Sequence, residues 1–127
     1  MKNFLDAENQ RNWIIMVNYL DDNIEYTVTG AVEPLKGREN YIKKMKATYS
    51  EIPDWRFEIT TILSSNQNVV VEFMGDGHYT GFYEGANYTN KKIKLNAVCI
   101  FTLDRGKIKT IREYWDPISF KNQISHP

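Results

Sequence analysis

The sequence predicts an α+β fold in which N-terminal helices cover one face of a strongly bent antiparallel sheet. Apolar residues recur with helical spacing over much of the first fifty residues. From about residue 55 onward, apolar and polar side chains alternate as they do in half-buried strands. Glycines then follow at short intervals where a long strand would bend, at positions 75, 77, 81 and 85. A curved sheet that helices cover on its concave side encloses a cone-like cavity.

Two segments have the apolar spacing of amphipathic helices. Residues 7–20 gather their large apolar side chains on one side, but the polar stretch 9–12 leaves open one helix or two short ones. The second helix begins after Gly37 and buries a stripe at every third or fourth position. A short strand over residues 24–28 separates the helices, and residues 21–23 are expected to end the first one.

Long strands follow the helices. Residues 55–63 alternate as a strand with one wet face, and a second strand begins at Val69 after a polar loop. Residues 93–103 and the segment after Gly106 form a hairpin, because this glycine can take the positive φ of a tight turn. The polar stretch 87–92 is predicted to be the turn that leads into this hairpin.

One polar strand face carries side chains of the types that bind metal ions. Alternation in the second long strand places Glu72, Asp76 and His78 on one face. Phe73 and Tyr79 share the opposite face. Glycines interrupt the polar run, and an outward polar face explains it, so we predict no metal site.

The length and composition predict a single domain over residues 1–127. Hydrophobic residues make up 42% of the chain and aromatic residues 13%, which is enough for a core. Sixteen basic residues balance sixteen acidic ones, so we expect no nucleic-acid partner. One cysteine excludes an internal disulfide and a CxxC zinc site. The first twenty residues contain charges and no long apolar run, so we predict a cytoplasmic protein with no membrane association.

A carboxylate follows the last predicted strand, in the sequence Tyr114-Trp115-Asp116-Pro117. A carboxyl group held against aromatic rings loses hydration, and its pKa rises toward the range that suits proton transfer. Asp116 is therefore a candidate acid/base. The alternative is structural, because an Asp before Pro commonly forms a turn by accepting a backbone N–H bond. Spacing alone leaves both interpretations open.

Aromatic and small side chains are candidates to line the cavity. The chain contains three Trp, eight Tyr and six Phe, although the same residues also suit a plain hydrophobic core. Cys99 lies between apolar neighbours and is interpreted as a small cavity-facing residue rather than a nucleophile. The candidate ligand-binding residues are Trp13, Tyr26, Trp55, Phe57, Phe73, Cys99 and Phe101.

Short segments along nearly the whole chain carry a family likeness. They are Asn12-Trp13, Leu20-Asp21-Asp22-Asn23, Gly30 with Pro34-Leu35-Lys36-Gly37, Ile52-Pro53-Asp54 with Phe57, Gly77-His78-Tyr79-Thr80-Gly81, and Asp104-Arg105-Gly106-Lys107-Ile108 through Tyr114-Trp115-Asp116. In their order and spacing, they resemble the SnoaL-like polyketide cyclases. That family belongs to the wider nuclear-transport-factor-2-like superfamily, which also contains ketosteroid isomerase.

The resemblance implies a cone-shaped α+β barrel with a deep apolar cavity and frequent homodimerisation through the outer face of the sheet. In the cyclases, a carboxylate near the end of the last strand is the acid/base of an intramolecular aldol ring closure. That position resembles Asp116 here, with Glu113 as the alternative. The strand faces of Tyr79 and Tyr114 make either residue a candidate donor of the hydrogen bond that stabilises an enolate oxygen. The alternative is that both are core residues whose hydroxyl groups reach solvent.

Two departures from the relatives bear on activity. Many relatives carry His where this chain has Tyr79, whereas His78 lies one place earlier and on the opposite face. By this resemblance, the catalytic positions of ketosteroid isomerase fall near Thr27, near Cys99 and near either Asn3 or Phe4, and none of its catalytic groups is retained. Steroid-type isomerisation by that constellation is therefore not expected.

Two hypotheses about function follow. The first is a cofactor-free enzyme that cyclises, isomerises or dehydrates a small apolar carbonyl compound, with Asp116 as its acid/base. The second is a non-catalytic module that holds a hydrophobic ligand in the same pocket, or that binds protein through the exposed sheet. The missing His at the Tyr79 position favours the second hypothesis.

Overall fold

The computed structural model describes residues 1–126, which form four helices and six strands. The helices are α1 (Lys2–Asn9), α2 (Trp13–Asn18), α3 (Arg38–Glu51) and α4 (Pro117–Ser125). The strands are β1 (Leu20–Val28), β2 (Leu35–Lys36), β3 (Arg56–Ser65), β4 (Asn68–Tyr83), β5 (Ala86–Asp104) and β6 (Lys107–Trp115). The predicted α+β class is confirmed.

The six strands form one strongly curled sheet in the order β2-β1-β6-β5-β4-β3. Neighbouring strands are antiparallel except β1 and β6, which pair in parallel. Register shifts interrupt four of the five pairings, and irregularities of this kind bend a strand. Strands β2 and β3 lie at opposite edges, so hydrogen bonds do not close the sheet into a barrel.

A break divides the N-terminal region into two helices, which was one of the two alternatives for residues 9–12. Arg11 adopts a positive φ of 60°, and this conformation leaves the helical path. Asn12 then caps α2, because its side-chain oxygen accepts a hydrogen bond from the Ile15 backbone N–H at 3.2 Å.

Three predicted boundaries are wrong. The first helix begins at Lys2 rather than at residue 7. Residues 21–23 lie inside β1 rather than at a helix end, and the polar stretch 87–92 lies inside β5. The turn between β4 and β5 is formed by Glu84 and Gly85, whose φ angles are 46° and 84°. Two successive residues with positive φ give a tight turn that matches the twist of the paired strands. The polarity of residues 87–92 reflects the exposed end of a long strand.

Helix α4 is absent from the sequence-based expectations. Asp116 is its N-cap, and Pro117 occupies the first helical position, where the missing backbone N–H costs nothing. The helix buries Phe120 and Ile124 against the sheet. The Asp-Pro pair therefore starts a helix, whereas the structural alternative was a simple turn.

The hydrophobic core has two parts. The larger part lies between α1, α2, α3 and the concave face of the sheet, and it includes the fully buried Phe4 and Ile24. The smaller part packs α4 against β4 and β5 around Tyr79 and Ile93. The Trp55 side chain packs against both parts. Among residues 1–126, no helix is both long enough and apolar enough to cross a membrane.

Candidate active site

A cavity of about 400 Å³ lies between the concave face of the sheet, α3 and α4. This volume falls within the range of small-molecule pockets. Three charged residues contribute to its lining, namely Glu8, Lys44 and Glu113. Much of the remaining wall is aromatic, and the rings at the α4 side belong to Trp55, Phe73, Tyr79, Tyr83, Trp115 and Phe120.

Glu8 enters the cavity from the last turn of α1. Phe4, one turn earlier on the same helix face, is fully buried, so this face of α1 points toward the core. The Tyr49 hydroxyl of α3 donates a hydrogen bond to Glu8 Oε2. Burial raises the pKa of Glu8 to about 7, and the nearby charge of Glu113 adds to this rise while the Tyr49 hydrogen bond opposes it.

Glu113 enters the cavity from β6. Alternation along this strand turns Ile111, Glu113 and Trp115 inward, whereas Tyr114 points to the outer face. The strand is fixed on both sides, because it pairs with β1 and with β5. Glu113 is therefore a carboxylate carried into an apolar interior by the pleat of a central strand.

Burial raises the pKa of Glu113, and three neighbours oppose the rise. The Cys99 thiol lies opposite on β5, with its Sγ 3.7 Å from Glu113 Oε1, and acts as a weak donor. The Tyr26 hydroxyl and the charge of Lys44 lower the pKa in the same direction as the thiol. These donors favour an ionised Glu113, whose charge in turn raises the pKa of Glu8. The two carboxyl groups are therefore coupled, and the Glu113 charge favours the protonated form of Glu8.

Aromatic rings enclose the α4 side of the cavity. The Phe120 ring centroid lies 5.0 Å from that of Tyr79, 5.1 Å from that of Tyr83 and 5.8 Å from that of Trp115, all edge to face. Walls of this kind exclude water, and electrostatic interactions are stronger where water is excluded.

On the neighbouring wall, Gly75 of β4 faces the Trp55 indole. A Cβ atom at position 75 would lie only 2.2 Å from the indole ring. The absence of a side chain there lets the indole lie directly on the strand and form part of the cavity wall.

A family model described as SnoaL-like polyketide cyclase matches residues 1–124. This chain belongs to that family. None of the curated proteins compared with the sequence matches it.

Solved structures share the fold of this SnoaL-like protein. A protein from Jannaschia sp. CCS1, provisionally assigned as a SnoaL-like polyketide cyclase, superposes with a TM-score of 0.85 at 19% identity, covering 94% of this chain and 83% of that one. A SnoaL-like polyketide cyclase from Agrobacterium tumefaciens strain C58 gives 0.81 at 18% identity, with 95% and 91% covered. A protein from Kribbella flavida DSM 17836, provisionally assigned as a ketosteroid isomerase, gives 0.71 at 18% identity, with 91% and 73% covered. Identities this low show the fold alone.

Four of the predicted site residues of this SnoaL-like protein line the cavity, namely Tyr26, Trp55, Phe73 and Tyr79. The Tyr79 side chain is buried, and its hydroxyl donates a hydrogen bond to the Phe82 carbonyl at 3.3 Å. Burial raises the pKa of Tyr79, which keeps its phenol protonated at neutral pH.

Four other predicted ligand-binding residues lie in the core instead of the cavity wall. Trp13 packs on Tyr49 with ring centroids 5.9 Å apart. Phe57 packs behind Phe73 at 5.3 Å, and Phe101 packs on Phe4 at 6.1 Å. Cys99 is buried beside Glu113, so it touches a site residue without lining the cavity. The sequence identifies the inward face of a strand but not how much of that face another element covers.

The expectation that Asp116 lies desolvated among aromatic rings is wrong. Its side chain is exposed and does not line the cavity. Asp116 Oδ1 accepts hydrogen bonds from the backbone N–H groups of Ile118 at 2.9 Å and Ser119 at 3.3 Å. Tyr114 was expected to donate a hydrogen bond inside the cavity. This expectation is also wrong, because the residue is 51% exposed on the outer face of the sheet.

Sequence patterns did not identify Glu8, and they favoured Asp116 over Glu113. For Glu113 a signal was present, since it alternates with Ile111 and Trp115 on the apolar side of β6. For Glu8 the signal was weaker. It shares a helix face with Phe4, but only the packing of α1 against α3 brings it to the cavity.

The polar outer face of β4 is as predicted. His78 is directed away from Tyr79 and toward the loop before β3, where its Nδ1 lies 2.6 Å from Asp54 Oδ2. The hydrogen bonds from His78 lower the pKa of Asp54. Over residues 1–126, no group of three or more His, Cys, Asp or Glu side chains is arranged to hold a metal ion.

Proposed function

We propose that this SnoaL-like protein performs cofactor-free acid/base chemistry on an apolar carbonyl compound, by cyclisation, isomerisation or dehydration. The observation that carries the proposal is the pair of cavity carboxyl groups, Glu113 and Glu8, whose surroundings differ. Burial raises the pKa of Glu8 to about 7, whereas two hydrogen-bond donors and the Lys44 charge oppose the rise in the pKa of Glu113. Two carboxyl groups made different by their environments can supply a base and an acid in one site.

In this mechanism, ionised Glu113 removes a proton from the carbon next to the substrate carbonyl. The electron pair of the broken C–H bond becomes the C=C bond of an enolate, whose negative charge lies on oxygen. Protonated Glu8 donates a hydrogen bond and then its proton to an oxygen that gains negative charge. A water-excluding wall strengthens this stabilisation, because the donor is already oriented before the reaction.

The three reaction types differ in the fate of the enolate. In isomerisation, Glu113 returns its proton to a different carbon. In ring closure, the enolate carbon forms a C–C bond with a second carbonyl of the same molecule, and the resulting alkoxide takes the proton of Glu8. In dehydration, a β-hydroxyl group leaves as water after taking that proton. Each route needs only the two carboxyl groups and the substrate.

The direct test is the exchange of α-protons for deuterium, followed by proton NMR in D₂O with a panel of apolar ketones and 1,3-diketones. This readout requires only enolate formation and therefore does not depend on the full substrate. We expect the Glu113→Gln variant to lose about 10²- to 10⁴-fold of the enzyme-dependent exchange rate, which is the usual contribution of a general base. Glu8→Gln should lower the rate less, because it keeps a hydrogen-bond donor.

Asp116→Asn is the matched control, because it makes the same acid-to-amide change at the exposed cap. This variant should exchange α-protons at the wild-type rate. Loss of exchange in Asp116→Asn with full exchange in Glu113→Gln would overturn the assignment of the base. Wild-type protein that binds members of the panel without accelerating exchange would overturn the enzymatic proposal.

The second candidate function is non-catalytic binding of a hydrophobic ligand. It is favoured by the aromatic wall and by Tyr79, which stands where many relatives carry His. Quenching of Trp55 and Trp115 fluorescence on ligand addition would report binding. Saturable quenching, combined with no α-proton exchange for any quenching ligand, would identify this function instead.

We also propose that the outer face of the sheet forms a homodimer interface. Leu63 on the edge strand β3 is 63% exposed, and Tyr114 on β6, which β4 and β5 separate from β3, is 51% exposed. Apolar side chains of this size on an open sheet face favour a contact with another copy. Light scattering after gel filtration should give twice the chain mass for the wild type, and the chain mass for Tyr114→Glu. A wild-type monomer at high concentration would contradict the proposal.

A further inference from the structure

We propose that Tyr49 is a positioning residue for Glu8, and that Arg11 acts on Glu8 through the Tyr49 ring. The inference rests on the proposed acid/base role of Glu8 and adds a device that sets its orientation and charge. It concerns a chain of contacts that runs outward from the cavity, from carboxyl group to phenol to guanidinium.

The first contact is the hydrogen bond from the Tyr49 hydroxyl to Glu8 Oε2, which links α3 to α1. Tyr49 is 8% exposed, and its ring packs against the Trp13 indole. The ring therefore has little freedom to move away from the carboxyl group. Burial raises the pKa of Tyr49 well above its ordinary value, so the phenol stays a donor across the neutral range.

The second contact places a cation on the Tyr49 ring. The guanidinium carbon of Arg11 lies 3.9 Å from the ring centroid, which is the geometry of a cation–π interaction. A positive charge over a phenol draws electron density from the ring and strengthens the hydroxyl as a donor. The same charge favours the ionised form of Glu8, so it lowers the pKa of that carboxyl group.

The Arg11 guanidinium is held over the ring by main-chain carbonyl groups. Arg11 Nη1 donates to the carbonyls of Asn9 at 3.0 Å and Glu8 at 3.2 Å, and Nη2 donates to those of Trp55 at 2.7 Å and Pro53 at 3.4 Å. These bonds use the planar fork of the side chain. Within residues 1–126, the guanidinium forms no ion pair with a carboxylate.

The backbone break between α1 and α2 makes this arrangement possible. Arg11 sits at a φ of 60° within that break, between two helices that both contact the Tyr49 region. A non-glycine residue in this conformation is uncommon and stored strain of this type is found at functional sites. The break therefore positions a charge beside the site as well as separating two helices.

Other titratable and charged groups also face Glu8, Tyr49 and Arg11. Glu113 on β6 raises the pKa of Glu8, while Lys44 on α3 acts on Glu113. The remaining groups near Glu8, Tyr49 or Arg11, contributed by β1, α3, the α3–β3 loop, β3 and β5, are Tyr26, Tyr41, Asp54, Arg56 and Cys99. Tyr49 is the one among those described that donates a side-chain hydrogen bond to Glu8.

The test is a carbon-13 NMR titration of the Glu8 carboxyl group in the full chain. Tyr49→Phe should raise the pKa of Glu8 by about one, because a lost hydrogen bond to a charged group shifts the equilibrium roughly tenfold. Tyr41→Phe is the matched control, since it removes a hydroxyl from another buried tyrosine of α3 and should leave the pKa within a few tenths. An unchanged pKa in Tyr49→Phe would overturn the positioning role.

A double-mutant cycle tests the role of Arg11. Arg11→Gln should raise the pKa of Glu8. The part of that rise transmitted by the Tyr49 hydroxyl should disappear in the Tyr49→Phe background, whereas the direct effect of the Arg11 charge should remain. Full additivity would show that Arg11 acts on Glu8 only directly and would overturn its action through Tyr49. Arg11→Lys keeps the charge and should leave the pKa nearly unchanged; a rise as large as in Arg11→Gln would assign the effect to the lost carbonyl bonds.

The same titration separates this inference from the proposed function. If Tyr49→Phe raises the pKa of Glu8 while no ketone exchanges its α-protons, the positioning device stands and the enzymatic proposal fails. If exchange depends on Glu113 but Glu8 does not respond to Tyr49→Phe, the inference fails and the enzymatic proposal stands.

Discussion

Glu113 and Asp116 are three residues apart, yet the fold gives the two carboxylates opposite environments. Glu113 lies on β6 and faces an aromatic cavity, where burial raises its pKa. Asp116 lies one residue past the strand and is exposed, and its Oδ1 accepts hydrogen bonds from backbone N–H groups in the first turn of α4. Closeness in sequence to Tyr114 and Trp115 therefore does not determine whether a carboxylate is desolvated. The pleat of the strand and the start of the next helix determine it.

The neighbouring Trp115 marks the boundary between these environments. Up to this residue, alternation with a period of two keeps every second side chain inside the sheet. After it, the chain turns into α4, and the N-cap residue of this helix directs its carboxylate back to the backbone N–H groups of the first turn. The carboxylate before the boundary faces the cavity, and the one after it caps a helix.

The largest expected effect is on the pH dependence of stability, and it comes from Glu8, which is buried in the cavity like Glu113. The pKa of Glu8 in the folded protein, about 7, exceeds its ordinary value of 4.5. The folded state therefore binds this proton more tightly than the unfolded chain, and the free energy of unfolding falls as pH rises from about 4.5 to 7. This difference of about 2.5 pH units between the folded and unfolded pKa of Glu8 corresponds to about 3 kcal/mol. Urea unfolding measures the free energy of unfolding at pH 4 and at pH 8. Between these pH values, wild type should lose about 3 kcal/mol more of this free energy than Glu8→Gln.

Asp116→Asn provides the contrast for that measurement. Because its carboxylate is exposed and serves as a cap that Asn can replace, the variant should lose stability with pH in parallel to wild type. If the free energy of unfolding changed with pH equally in Glu8→Gln and wild type, Glu8 would not have a raised pKa in the folded protein.

A smaller effect is expected when the cap is removed altogether. Asp116→Ala should lower the free energy of unfolding by about 1 kcal/mol at pH 7, because two N-terminal N–H groups of α4 lose their acceptor. Denaturant titration measures this loss, and Asp116→Asn should restore most of it. An Asp116→Ala variant as stable as wild type, or an Asn variant as unstable as Ala, would show that capping is not the role of this residue.

The smallest effect concerns the donor opposite Glu113. Cys99→Ala should raise the pKa of Glu113 by a few tenths, because a weak thiol donor to the ionised form is lost. Cys99→Ser should lower it, since a hydroxyl donates more strongly. Carbon-13 NMR titration of the Glu113 carboxyl resolves both changes. Shifts of the same sign in the two variants would indicate altered packing and not hydrogen bonding.

Local patterns in the sequence were enough to predict much of the sheet. The β5–β6 hairpin follows from alternation and from Gly106, whose φ is 78°. Alternation also separated His78 from Tyr79 correctly. Both features depend on neighbouring residues alone, so no tertiary information was needed to find them.

The candidate site could not be obtained in the same way. Glu8 becomes a cavity residue only because α1 packs on α3, and Tyr49, its hydrogen-bond partner, is 41 residues away. Trp13 and Phe101 are residue types that commonly contact ligands, but here they pack on Tyr49 of α3 and Phe4 of α1. Helix α4 was missed because a short helix after Asp-Pro has the same sequence signals as a turn.

The parallel pairing of β1 with β6 has a consequence for the timing of assembly. Thr29 at the end of β1 bonds to the Glu113 carbonyl, 84 residues further along the chain. During synthesis, the edge of β1 that pairs with β6 therefore stays unpaired until β6 has been made. Closing so long a loop also slows folding. An early strand edge left open in this way is exposed to other chains. The protein should consequently depend on chaperones more than its small size suggests.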